Sequence, residues 1–421
     1  ELINYFRYEY PQPSGDAPFS VTTELGAAPW NEKHRLVHIG LQGKDIARGQ
    51  LPPRNLVFLL DVSGSMNDPN KLPLLKRSLK ELVETLGEKD RVAITVYAGS
   101  SGLVLPSTRA TERTKILDAL ERLEAGGSTN GGEGIQLAYK TARQAMTPGA
   151  INRVILATDG DFNVGVTNQG DLIRLIEEER KAGVFLTVLG FGMGNYKDST
   201  LEKLADKGNG NYAYIDTISE ARKVLVKEAG ATLVTIAKDV KIQVEFNPKH
   251  VSAYRLIGYE NRLLRNEDFN DDKKDAGDIG AGHSVTALYE IVPAGVAAPT
   301  GNVDALKYQK PLETSAESDS DELITLKLRY KAPSAEQSQL LTFAVKNDAA
   351  PSPSENFRFS AAVAGFGMLL RDSKHKGTTS WDLVTTLAKD SVGQDAHGYR
   401  REFVTLVARA KKLAPNAVVA R

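Results

Sequence analysis

The feature that most constrains this chain is an alternation of two hydrophobic periods between residues 54 and 230. Leu56-Val57-Phe58-Leu59-Leu60 is a continuous apolar run, as a strand buried on both faces of a parallel sheet requires. Leu72, Leu75, Leu79, Leu82 and Leu86 follow at spacings of three and four, one stripe of an amphipathic helix. Arg91 to Tyr97 reads as a second strand. Ile116, Leu120 and Leu123, then Ile135, Ala138, Ala142 and Ala145, mark two more helices. Arg153 to Thr158 and Val184 to Phe191 are further buried strands, with a helix around Leu172 to Lys181 between them. A strand near Tyr212 to Ile215 and a helix near Ser219 to Glu228 close the unit. Such alternation predicts a doubly wound α/β domain.

The flanks follow a different rhythm. Val240, Ile242, Val244 and Phe246 alternate with polar residues, as do Val285, Ala287, Tyr289 and Ile291, and Ile324, Leu326, Leu328 and Tyr330. A period of two predicts half-buried antiparallel strands. Phe19 to Leu25 and His34 to Leu41 also read as β. The expected layout is a β-sandwich begun by residues 1–53, interrupted by the α/β domain at 54–230 and completed by 231–350. Helical stripes at Trp381, Val384, Leu387 and Ala388, and at Phe403, Leu406, Val407, Ala410 and Leu413, predict a C-terminal helical region over 351–421. Asn266 to Asp278 and Pro299 to Asp321 are polar enough to be read as mobile.

With 421 residues the chain exceeds one core. Lys and Arg total 53, as do Asp and Glu, so no broad basic surface supports nucleic-acid binding. Cysteine is absent, which excludes disulfides, thiolate metal sites and a cysteine nucleophile. No apolar run approaches the ~18 residues of a membrane span. The longest, Ala361 to Leu370, is interrupted by two glycines. The chain opens on Glu1, so an upstream segment is expected, and with it any membrane anchor.

In a doubly wound sheet, ligands bind beyond the carboxyl ends of the strands. Three polar loops occupy that position here. Asp61-Val62-Ser63-Gly64-Ser65 follows the first strand, Gly126 to Gly132 lies between the second and third helices, and Thr158-Asp159-Gly160 follows the strand Arg153 to Thr158. Their carboxylates and hydroxyls are hard oxygen donors, suited to Mg²⁺ or Mn²⁺. Two carboxylates balance such an ion, and one coordination position is left for an incoming Asp or Glu. Helix capping would also favour Asp and Ser at these places. Capping explains one loop at a time, not three that converge.

The D-x-S-x-S motif, the later Thr129 and the T-D-G at Thr158 to Gly160 resemble the metal-ion-dependent adhesion site of von Willebrand factor A domains. The resemblance implies Asp61, Ser63, Ser65, Thr129 and Asp159 as the ligand set. It implies Mg²⁺, or Mn²⁺ or Ca²⁺ in its place, and a protein partner offering an exposed acidic side chain. Glu1 to Phe6, Tyr10-Pro11 and Ala28-Pro29-Trp30 are similar to the N-terminal region of bacterial A-domain proteins of the YfbK type. Leu256 to Arg262, Asp268-Phe269-Asn270 and Ala281-Gly282-His283 resemble their C-terminal region. Such proteins carry export or lipoprotein signals upstream, so a periplasmic or cell-surface location is expected. A non-enzymatic binding module follows. A metal-dependent hydrolase using Asp61 and Asp159, and an adaptor for an intracellular ATPase chaperone, are the alternatives.

Other candidates carry less. Glu133 could orient a ligand near Thr129 or stand solvated in a first helical turn, and Asp161 could add charge beside Asp159. Asp268, Asn270 and Asp272 mimic the start of a calcium loop, but Lys273 and Ile279 stand where Gly and Glu are needed. Gly190 to Gly194 lacks the lysine and spacing of a phosphate loop. The six histidines show no metal-ligand spacing.

Overall fold

The computed structural model describes residues 2–98, 101–127, 131–160, 169–192, 198–228, 234–259, 263–274, 276–297, 314–333, 335–348 and 352–414. Two compact units emerge. One comprises residues 1–44, 239–276 and 284–421, the other 45–238 and 277–283.

The first unit begins with strands β1 (Phe19–Ala28) and β2 (Asn31–Gly43), an antiparallel pair. The second holds β3 (Arg54–Asp61), α1 (Leu72–Glu84), β4 (Arg91–Tyr97), β5 (Ser101–Arg109), α2 (Arg113–Glu121), α3 (Gly131–Gln144) and β6 (Ile151–Thr158). It continues through α4 (Gln169–Lys181), β7 (Val184–Phe191), α5 (Asp198–Lys207), β8 (Tyr212–Ile215) and α6 (Ile218–Arg222). The sheet order is β5-β4-β3-β6-β7-β8, all parallel except β5. Leu56, Phe58 and Leu60 of β3 pack with α1, α2 and α6, whereas Val57 and Leu59 pack with α3, α4 and α5. Chain order runs from β3 to β4 on one side and to β6 on the other. The switch point therefore lies between β3 and β6, and their outgoing loops lead to helices on opposite faces.

Two elements of this sheet-and-helix unit were not foreseen. Strand β5 carries Pro106 and exposes Leu103 and Val104, which only a sheet edge tolerates. Helix α5 has a short apolar stripe, Leu201, Leu204 and Ala205, that its polar neighbours conceal. The last helix, expected over Ser219 to Glu228, is α6 followed by a π-helical turn at Lys223–Lys227, with Val224 and Leu225 buried.

The remaining strands are β9 (Thr235–Phe246), which joins the first unit from Asp239 on, and β10 (Val251–Ile257), β12 (Ser284–Pro293), β13 (Glu322–Lys331) and β14 (Gln339–Lys346), all within it. The short β11 (Gly277–Gly280) runs beside the start of β9, where Ala281 N–H donates to Val234 O at 2.8 Å. One sheet has the order β1-β2-β12-β10 and the other β11-β9-β13-β14. Phe19 meets Tyr330 with ring centres 5.0 Å apart, and Phe246 stacks on Tyr254 at 4.4 Å, so the sheets pack as a sandwich.

The expectation of half-buried strands holds for β13 and fails for β12. Thr286, Leu288 and Glu290, on the face opposite Ala287 and Ile291, are buried as well. The cause is a third layer. Helix Glu355–Leu370, with Trp381–Lys389, Tyr399–Leu413 and N-terminal Ile3, Phe6, Tyr8 and Tyr10, shares one core with Leu36 and Leu288. The C-terminal helices thus belong to the sandwich unit. The Asn266 to Asp278 stretch, read as mobile, is pinned: Lys241 Nζ donates to Asp268 O and Asp271 O, and Lys331 Nζ to Asp272 O. Much of the second stretch, residues 298–313, lies outside the described residues.

Candidate metal centre

Asp61 ends β3 and Asp159 follows the last residue of β6, so adjacency of the two strands brings both carboxylates to the switch point. Asp61 is fully buried. Its Oδ1 accepts the Ser63 N–H at 2.9 Å, a turn that Asp closes on its own backbone. Its Oδ2 accepts from the hydroxyls of Tyr97 and Thr158, each at 3.2 Å. Ser63 is buried, Ser65 is exposed, and their hydroxyl oxygens lie 3.0 Å apart. The loop is sewn in place on two sides: Val62 N–H donates to Tyr97 O, Gly64 N–H to Gly127 O at 3.1 Å, and Gly126 N–H to Val62 O at 2.7 Å. The structure therefore brings together Asp61, Ser63, Ser65 and Asp159 and ties them to the glycine pair that leads towards Thr129. Thr129 itself lies outside the described residues.

Two buried carboxylates dominate the electrostatics here. Burial pushes the Asp61 carboxyl above its usual range, against the pull of Ser63, and the charge of Asp159 adds to the rise. Asp159 Oδ2 accepts from Lys71 Nζ at 3.0 Å, while its Oδ1 is buried and has no partner among the described residues. An orphaned carboxylate oxygen is costly unless something fills the gap. Among the described residues no three His, Cys, Asp or Glu side chains cluster, so the donors here are two carboxylates and two hydroxyls. Such a set fits a small, hard divalent ion and would hold it through oxygen alone.

Sequence reasoning missed Lys71 and Tyr97. Tyr97 ends β4 in register with Asp61, so its place at a strand's carboxyl end was a usable signal. Lys71, just before α1, offered none. Of the weaker candidates, Glu133 is exposed in the first turn of α3, and Asp161 lies outside the described residues. In the calcium-like loop, lysine ammonium groups take the backbone carbonyls.

Residues 55–228 match the model of the von Willebrand factor type A domain, and residues 231–413 match that of the C-terminal region of the uncharacterised protein YfbK. Residues 1–38 match a third model, described as von Willebrand factor. The uncharacterised protein YfbK of Escherichia coli K12 is 44% identical over 414 residues, which cover 97% of this chain and 71% of that protein. This chain belongs to the YfbK family. An uncharacterised protein of Synechocystis is 28% identical over 194 residues, 46% of this chain and 44% of its own length. Among solved structures, a von Willebrand factor type A protein from Catenulispora acidiphila is similar at 19% identity with a TM-score of 0.47, covering 91% of this chain and 89% of its own. This chain carries an A domain, generally a protein-interaction module and often dependent on a metal.

Proposed function

We propose that this chain is a metal-dependent protein-binding module of the bacterial cell envelope. Asp61, Ser63, Ser65, Thr129 and Asp159 would hold Mg²⁺, with Mn²⁺ or Ca²⁺ in its place, and a partner protein would supply an exposed Asp or Glu. One observation carries this reading: Asp159 Oδ1, buried and without a partner among the described residues, beside the fully buried Asp61 at the β3/β6 switch point. A bound divalent ion supplies an electrophile for one more carboxylate. Asp61 is held in one orientation by Ser63, Tyr97 and Thr158, so this part of the site is preorganised. The Ser63 and Ser65 hydroxyl oxygens lie 3.0 Å apart and the Ser63 side chain also hydrogen-bonds Asp61, an oxygen cluster that suits a ligand's role.

The test is a melting curve in Mg²⁺ or Mn²⁺ and in EDTA, for wild type and Asp61→Ala. An ion bound only to the native state adds about 2.7 kcal/mol at a hundredfold excess over its Kd. Wild type should gain stability and the variant should not; identical wild-type curves would overturn the site. Fractionation of the native host, with pull-downs from envelope extract in Mg²⁺ and in EDTA, tests location and partner class.

A further inference from the structure

Lys71 is placed too specifically to be a chance surface contact. Its side chain is only 12% exposed, and its Nζ donates to Ser65 O at 2.9 Å and to Asp159 Oδ2 at 3.0 Å. The stem lies on Gly192, at the end of β7. A Cβ at that position would come within 2.5 Å of Lys71 Cε and 2.9 Å of its Cγ. Gly192 also has φ of +82°, so glycine alone satisfies both backbone and neighbour. Three segments therefore build a seat for one ammonium group against the carboxylate of the candidate metal centre.

We infer that Lys71 is an internal counter-ion that occupies the anionic side of this centre and must be displaced from Asp159 when a divalent ion enters. The inference rests on the metal reading above. Asp61 and Asp159 contribute two negative charges and Lys71 one positive, so the centre keeps a net attraction for cations. An ammonium and a divalent ion a few ångströms apart repel each other strongly at low dielectric. Both compete for the same Asp159 carboxylate. Asp68 offers the expelled ammonium a seat at the rim: its Oδ2 lies 3.7 Å from Lys71 Nζ, and its side chain is 68% exposed. The lysine thus lowers metal affinity while sparing the metal-free protein an uncompensated buried carboxylate.

Two measurements test this. In wild type, acylation of Lys71 by an amine-reactive reagent, read by mass spectrometry, should be slow in EDTA and several-fold faster in saturating Mg²⁺. Second, Lys71→Met and Lys71→Gln should bind Mn²⁺ about tenfold more tightly than wild type, since each removes a competing charge. The glutamine retains a donor for Ser65 O, so an effect in both variants separates charge from hydrogen bonding. Melting in EDTA confirms that each variant is folded. If a variant does not fold, the acylation measurement decides. Unchanged Lys71 reactivity despite a Mg²⁺-induced melting shift would overturn the inference and leave the metal site standing. Equal or weaker Mn²⁺ binding by folded variants would do the same. No metal binding by wild type or variants would overturn both.

Discussion

The phenol of Tyr97 donates to Asp61 Oδ2 at 3.2 Å, from the adjacent strand and between residues paired in register. Both side chains are fully buried. Burial first, and then the charge of Asp61, push Tyr97 far above the ordinary phenol range, so it remains a proton donor. A group that orients a metal ligand is worth about tenfold or more in metal affinity. Tyr97→Phe should therefore weaken Mn²⁺ binding by about tenfold. It should lower stability in EDTA by only about 1 kcal/mol, the net worth of one hydrogen bond. Titration calorimetry and EDTA melting curves check the two halves separately.

Asp61 makes a signed prediction of its own. Its carboxyl is held above the usual range by burial, so without metal its charged form costs the fold stability. Stability from this group is present below the unfolded pKa and is lost as pH rises through the folded one. Asp61→Asn should then raise the melting temperature at neutral pH in EDTA and abolish the gain from Mg²⁺. A variant less stable than wild type in EDTA would contradict this account.

His38 predicts acid sensitivity in the sandwich unit. It lies buried against Tyr8, Tyr10 and Phe357, and burial pushes its pKa down to about 4. Its Nε2 meets the Tyr10 hydroxyl at 3.0 Å, while Nδ1 has no partner among the described residues. A depressed folded pKa means the contribution is complete above the unfolded value near 6.5 and is lost as pH falls towards 4. The loss from this residue is about 3 kcal/mol across that window. Denaturant melts at pH 7 and pH 4.5 should show a steeper fall for wild type than for His38→Phe.

Gly40 on β2 lies under the Tyr10 ring. A Cβ there would come within 2.4 to 2.7 Å of ring carbons. Tyr10 is also hydrogen-bonded to Thr286 Oγ1 at 2.6 Å, so the ring cannot swing aside freely. Gly40→Ala should destabilise the chain by about 1–3 kcal/mol, the range for overpacking a tight core. The measurement is a denaturant midpoint, with the Mg²⁺-induced shift retained because the candidate centre lies in the other unit.

The α/β unit was legible because each strand and helix announces itself locally. Leu56 to Leu60 must be buried on both faces, and the leucines from Leu72 to Leu86 can face only one side of a helix. The metal motif was legible for the same reason. Asp61 and Asp159 stand at strand ends, and their meeting follows from the strand order.

What periodicity could not supply is the set of partners chosen at a distance. Thr286 and Glu290 look like solvent-facing residues of β12. Only the helices after residue 354, folding back with Ile3, Phe6 and Tyr10, turn that face into a core. Lys71 looks like any lysine before a helix. It becomes a counter-ion because Gly192, 121 residues later, leaves room for its stem. The sequence by itself determined most of the elements, since these depend on neighbours a few residues apart. Only the tertiary structure decided which polar groups are buried and what neutralises them. Desolvation depends on the layers that close over a residue, and no local pattern records them.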